Sequence, residues 1–172
     1  MKLKTILLTS LISSSLVMAS TSVMASDSKL KVAVIKNTAM SSEISKGEYQ
    51  EIIASLSNTS SATEYNDFEK NTALCVAYLK TSNTVESEAA CSSAIESAKT
   101  LETSSKRANY LKSISYSNRA VARYLKNDVV GAMSDLAVAN SIDSNKISKI
   151  NLEVMNSKLD QTSYDESVSL AD

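Results

Sequence analysis

The chain has no histidine, no tryptophan and no proline, and only two glycines, two cysteines and one phenylalanine in 172 residues. The missing histidine removes Ser-His-Asp and Cys-His nucleophiles, His-ligated zinc and any imidazole proton shuttle at neutral pH. Gly47 and Gly131 are too far apart to build a phosphate-cradling loop or a dinucleotide fingerprint, both of which need several close glycines. Charge of either sign is nearly balanced, 18 Lys plus Arg against 19 Asp plus Glu, so no basic excess favours nucleic acid or anionic lipid. The acids that lie close in sequence, Glu43 and Glu48, Glu86 and Glu88, Asp165 and Glu166, read as solvated helix faces. None has the apolar setting that separates two carboxyl pKa values for acid–base work. The composition points to a non-catalytic chain without metal or cofactor.

What is present starts with an export signal. Met1-Lys2-Leu3-Lys4 is a basic start, Ile6 to Met18 is apolar but diluted by Ser and Thr, and Val23-Met24-Ala25 offers the residues a signal peptidase reads. Cleavage is expected after Ala25, with a second site after Ala19. A membrane span needs about 20 predominantly apolar residues, which this stretch does not supply. No cysteine follows it, so a lipid anchor is not expected. The mature product is expected in the periplasm or secreted, with no membrane anchor. Removing residues 1–25 takes away two lysines and no acid, leaving 16 basic against 19 acidic residues. The remainder is the size of one domain. Asn58-Thr59-Ser60 matches a glycosylation acceptor, but the signal has a bacterial look and the match carries little weight.

Proline-free, glycine-poor and rich in Ala, Leu, Lys and Glu, the chain from Ser42 onward reads as all-α. Helices are expected at Ser42–Ser57, Tyr65–Lys80, Thr84–Leu101 with Thr84 as N-cap, Arg107–Lys126, Val129–Ser141 and Ile147–Asn156. The segment 26–43 is expected to be extended, because Leu30-Lys31-Val32-Ala33-Val34-Ile35 is β-branched and partly alternating. The helical domain is placed at 44–156, and the polar, acidic tail 157–172 is expected to be disordered.

A repeat fixes how the helices pair. Ala120, Ala132, Leu136 and Ala139 follow one another at the same separations as Cys75, Ser87, Cys91 and Ala94. Small residues facing each other let two helices approach, and the larger one fills the groove at the next turn. Tyr78-Leu79-Lys80 and Tyr124-Leu125-Lys126 align one residue out of step with this register; the register that preserves the interhelical contacts is retained.

Asn118-Arg119-Ala120, Leu125, Asn127-Asp128-Val129, Ala132, Leu136, Ala139 and Ile142-Asp143 resemble one tetratricopeptide repeat (TPR). Leu74, Cys75, Tyr78, Ser87, Cys91 and Ala94 resemble a second, and Gly47-Glu48-Tyr49 with Ile52, Ile53 and Leu56 the turn and second helix of an incomplete unit. The family's closing proline is absent, Ser144 standing in its place, and the units lie about 11 residues further apart than usual. The resemblance implies a scaffold for a protein or peptide partner, with first helices lining a concave groove. By position, that groove presents Asn118, Val121, Tyr124 and Leu125 from one hairpin and Thr72, Val76, Leu79 and Lys80 from the other. Only Asn118 suits a carboxylate clamp, so none is expected. The alternative for Asn118 is an amide bonded to the neighbouring hairpin. Arg119 and Arg123 read as a solvated face paired with Asp128 or Asp135.

Export favours oxidation, and two thiols alone make a poor zinc site, so a Cys75–Cys91 disulfide across the facing positions of one hairpin is expected. The alternative is two buried thiols packing as small apolar residues. Two other functional readings stay open: a structural or stress-related periplasmic protein that homodimerises, and a carboxylate-dependent enzyme with an unrecognised site.

Overall fold

Good helix formers dominate from residue 41, and no proline interrupts them. The computed structural model describes residues 29–36, 38, 40–57, 64–101 and 105–169, and of 64–66 and 162–169 the backbone alone. The segment read as an export signal, both expected cleavage positions and the Asn58-Thr59-Ser60 triplet lie outside those residues. Seven helices are present among the described residues: α1 (Ser41–Lys46), α2 (Tyr49–Leu56), α3 (Glu64–Lys80), α4 (Thr84–Lys99), α5 (Lys106–Leu125), α6 (Val129–Ile142) and α7 (Lys146–Ser169). No strand occurs among them. Each of α2 to α6 packs on the next helix in the chain, while α3 touches α5 and α5 touches α7. No described helix is long and apolar enough to cross a membrane.

Three helix pairs turn in the same way. Each first helix ends in a residue with left-handed backbone: Gly47 (φ 82), Ser82 (φ 60) and Asn127 (φ 65). At each turn two amides reach back to the helix's last carbonyls. Gly47 N and Glu48 N bond Ile44 O and Glu43 O, Ser82 N and Asn83 N bond Leu79 O and Tyr78 O, and Asn127 N and Asp128 N bond Tyr124 O and Arg123 O. This pattern satisfies carbonyls that a helix end leaves orphaned. The next helix starts two residues later every time, at Tyr49, Thr84 and Val129.

The two long hairpins therefore match at a fixed register, Ser82 with Asn127, as the small-residue pattern requires. Cys75, Ser87, Cys91, Ala94, Ala120, Ala132, Leu136 and Ala139 are all buried to 1% exposure or less. Helix axes pack at about 8–10 Å depending on the side chains between them, and these small residues suit the short end of that range. In the first hairpin the Cys75 and Cys91 sulfurs are 2.04 Å apart, with Cα atoms at 4.8 Å. Ala120 and Leu136 hold the matching positions in the second hairpin, within one apolar cluster.

Several boundaries differ from expectation. The single helix expected over Ser42–Ser57 is two, because Gly47 takes the left-handed conformation that ends α1. Asn83, not Thr84, precedes the first turn of α4, and its side chain makes no cap bond. The last helix continues beyond Asn156 to Ser169, into the stretch read as a disordered tail: no Gly or Pro stops it, and Lys158, Leu159 and Gln161 are good helix formers. Its start is capped by Asn145, whose Oδ1 accepts from the amides of Ile147 (3.0 Å) and Ser148 (3.1 Å).

Residues 29–36 carry no helix or strand, yet they run through the core. Leu30 packs with the clusters around Cys75–Cys91 and around Leu136–Met155. Val32 packs with the first of these and with the Ile52–Val76 cluster, which Val34 also meets. Ala33 and Ile35 are buried with Phe68, Leu111 and Ile114. This strap is the only described element that reaches all four clusters.

Candidate functional site

Asn118 lies in the middle of α5 and Asn151 near the start of α7, and both are completely buried. A buried carboxamide must find partners, and it offers one acceptor oxygen and one donor nitrogen. A peptide unit in irregular backbone offers the complementary pair. Ala33 N donates to Asn118 Oδ1 (2.7 Å), and Asn118 Nδ2 donates to Ala33 O (3.0 Å). Lys31 N donates to Asn151 Oδ1 (2.6 Å), and Asn151 Nδ2 donates to Lys31 O (2.8 Å) and to Ser117 Oγ (3.0 Å). Two asparagines on successive first helices thus grip alternate residues of the strap. In an extended chain, residues two apart face the same side about 7 Å along, a step close to the spacing of packed helices.

The side chains do not alternate strictly between core and solvent. Ala33 and Ile35 point into the fold, and Ala33 is 0% exposed, with room for a methyl and no more. Lys31 keeps its side chain in solvent. Of the residues expected to line a partner groove, Val76, Leu79 and Val121 are buried in clusters against which Leu30, Val32 and Val34 pack, and half-buried Tyr124 shares a cluster with Leu30. Leu125 is 48% exposed and joins none of these clusters. Among the described residues, what packs on Val76, Leu79, Val121 and Tyr124 includes the chain's own Leu30, Val32 and Val34. Asn118 bonds the strap instead of a neighbouring hairpin.

The turn register pairs Asn118 with Ala73 and Ser117 with Thr72. Ala73 has no side-chain carboxamide, and the clamp has two rungs. Thr72 is 4% exposed, and its Oγ1 has no hydrogen-bond partner; with Ile35 it lines a small cavity at the end of the strap.

Asn151 was not singled out from sequence. Its signal is a carboxamide one turn before Val154 and Met155 on the buried face of α7, 33 residues after Asn118. Beside the strap, Val32, Val34 and Lys36 line an open pocket of about 550 Å³ with Ser41, Ser42, Ser45, Ile44, Tyr49 and Lys80.

Away from this face, charged groups tie α4, α5 and α6 together. Arg119 grips Asp135 with two bonds (2.7 and 2.8 Å), reaches Ser92 Oγ (3.3 Å) and lies over the Tyr116 ring at 5.5 Å. Arg123 bonds Glu88 (3.1 Å) and Asp135 (3.1 Å), and Lys126 also bonds Glu88. Asp135, 3% exposed, is therefore a neutralised structural acid. Its bond raises the Arg119 pKa further above the ordinary value, against the effect of burial. The Lys126 bond holds the Glu88 carboxyl below its ordinary range, opposed by burial and assisted by Arg123. Among the described residues, no three His, Cys, Asp or Glu side chains converge as a metal site.

No protein-family model, no curated protein and no solved structure matches this chain.

Proposed function

We propose that the chain is an exported, non-catalytic, TPR-like scaffold that holds an extended peptide across α3, α5 and α7. The observation that carries this reading is the double asparagine clamp, which binds main-chain atoms and asks for a peptide, not a small molecule. The three identical turns and the repeated small-residue interface support kinship with tetratricopeptide hairpins. The cysteine pair at bonding distance suits an oxidising compartment, in keeping with the export signal read from residues 1–25. Crosslinking capture from the exported fraction tests the reading. Tyr124→Ala, at the half-buried rim beside Leu30, is expected to lose partners that the wild type retains; identical captured sets would argue against this face.

One observation favours a second reading. The strap contributes to every apolar cluster, as expected of a structural protein whose groove serves only to complete its own core. Light scattering that finds a concentration-dependent homodimer burying the same face would support that reading instead.

A further inference from the structure

We infer that residues 29–36 are a built-in ligand, and that the scaffold's partner is an extended peptide of similar pattern that enters by replacing them. This rests on the scaffold reading and adds to it both a regulatory state, closed in cis, and a description of the partner.

Four observations carry the inference. The clamp contacts Lys31 and Ala33 only through their N–H and C=O groups, which nearly every peptide possesses, so the clamp does not require this particular segment. No backbone–backbone hydrogen bond among the described residues involves 30–35; the strap is held from below by side chains, not woven into a helix or sheet. On one side Val32, Val34 and Lys36 border the open pocket, so part of the strap already faces space into which it can move. Finally, the buried Thr72 hydroxyl beside Ile35 has no partner, so the strap leaves one polar group of the face unmet.

The partner's chemistry follows from the burial along the strap. At the Asn118 rung the side chain must be small, as Ala33 has no exposed surface. At the Asn151 rung it is unrestricted, because the Lys31 side chain is in solvent. The positions between and beside the rungs take branched apolar residues, as Leu30, Val32, Val34 and Ile35 do. A polar atom near the Ile35 position would engage Thr72. Main-chain bonds supply affinity and alternate side-chain pockets supply specificity, as when an extended peptide adds to a sheet edge.

The test uses the full-length oxidised protein and a fluorescein-labelled peptide with the sequence of residues 28–36. Ala33→Arg disfavours cis docking and leaves every helix residue unchanged, so the competent fraction rises and the apparent affinity for the peptide should increase at least about tenfold over wild type. A probe peptide with arginine at its Ala33 position should not bind. Should Ala33→Arg fail to fold, hydrogen exchange of the wild type decides. The amides of Lys31 and Ala33 should exchange at least about 100-fold faster than those of Ala120 and Val121 in α5, by opening of the strap alone. Equal rates, with equal denaturant dependence, would mean that the strap leaves only on global unfolding and would overturn the inference. A folded Ala33→Arg protein that ignores the peptide would overturn it as well. Partners that still depend on Tyr124 while the strap never opens would keep the scaffold reading and remove only this one.

Discussion

Asn118 gives up water for two bonds to one strap residue, and the cost of breaking them falls on both sides. Asn118→Leu leaves the Ala33 N–H and C=O buried without partners, each orphan costing about 1–3 kcal/mol. Urea unfolding should therefore show a loss of about 3 kcal/mol, well above that of an average surface change. Thr72 is the opposite case. Its hydroxyl is already buried and unpaired, so Thr72→Val should raise stability by about 1 kcal/mol, read as a higher urea midpoint at unchanged slope. At this scale the sequence is half legible. Asn118 stands out as a polar residue among Val121, Ala120 and Ala122, but its partner lies 85 residues away. No local pattern links a carboxamide to the backbone of a chosen strap residue. Asn151 shares that difficulty.

Among elements, the hairpin is the unit that sequence states best. The spacing of Ala120, Ala132, Leu136 and Ala139 and its echo from Cys75 to Ala94 came from side chains alone, and the turn hydrogen bonds confirm the register. The competing Tyr-Leu-Lys alignment fails because Ser82 and Asn127, not the tyrosines, mark equivalent points of the backbone. Less legible were the ends: Gly47 stops a helix whose apolar stripe continues across it, and polar residues after Asn156 hide a helix that has no stop signal. The disulfide belongs to this scale, since it ties α3 to α4 alone. Replacing Cys75 and Cys91 together by serine should lower stability by about 3 kcal/mol in the chain-entropy account, checked by thermal unfolding against the oxidised protein. The charged tie between α4 and α5 sets an acid limit. Glu88 has a lowered pKa when folded, so its contribution is complete above the ordinary carboxylate range and disappears as pH falls through the lowered value. Glu88→Gln should therefore unfold at a lower temperature than wild type near neutrality, and the two should converge in acid.

For the whole molecule, the hairpins are local and the strap is not. Each hairpin closes over a few tens of residues, whereas Lys31 meets Asn151 across 120. Short-range contacts form early and long-range ones wait for the chain between them. A chain stopped at Asp143 retains both long hairpins and the Asn118 rung but lacks α7 and the second rung. Limited trypsin digestion should cut it at Lys29, Lys31 and Lys36 while sparing the hairpins, and should leave those lysines uncut in the full-length protein over the same interval. The early part of the strap is thus secured by a residue made 120 positions later, in α7. A peptidase could thereby tell molecules that carry α7 from those that lack it by testing a single short stretch.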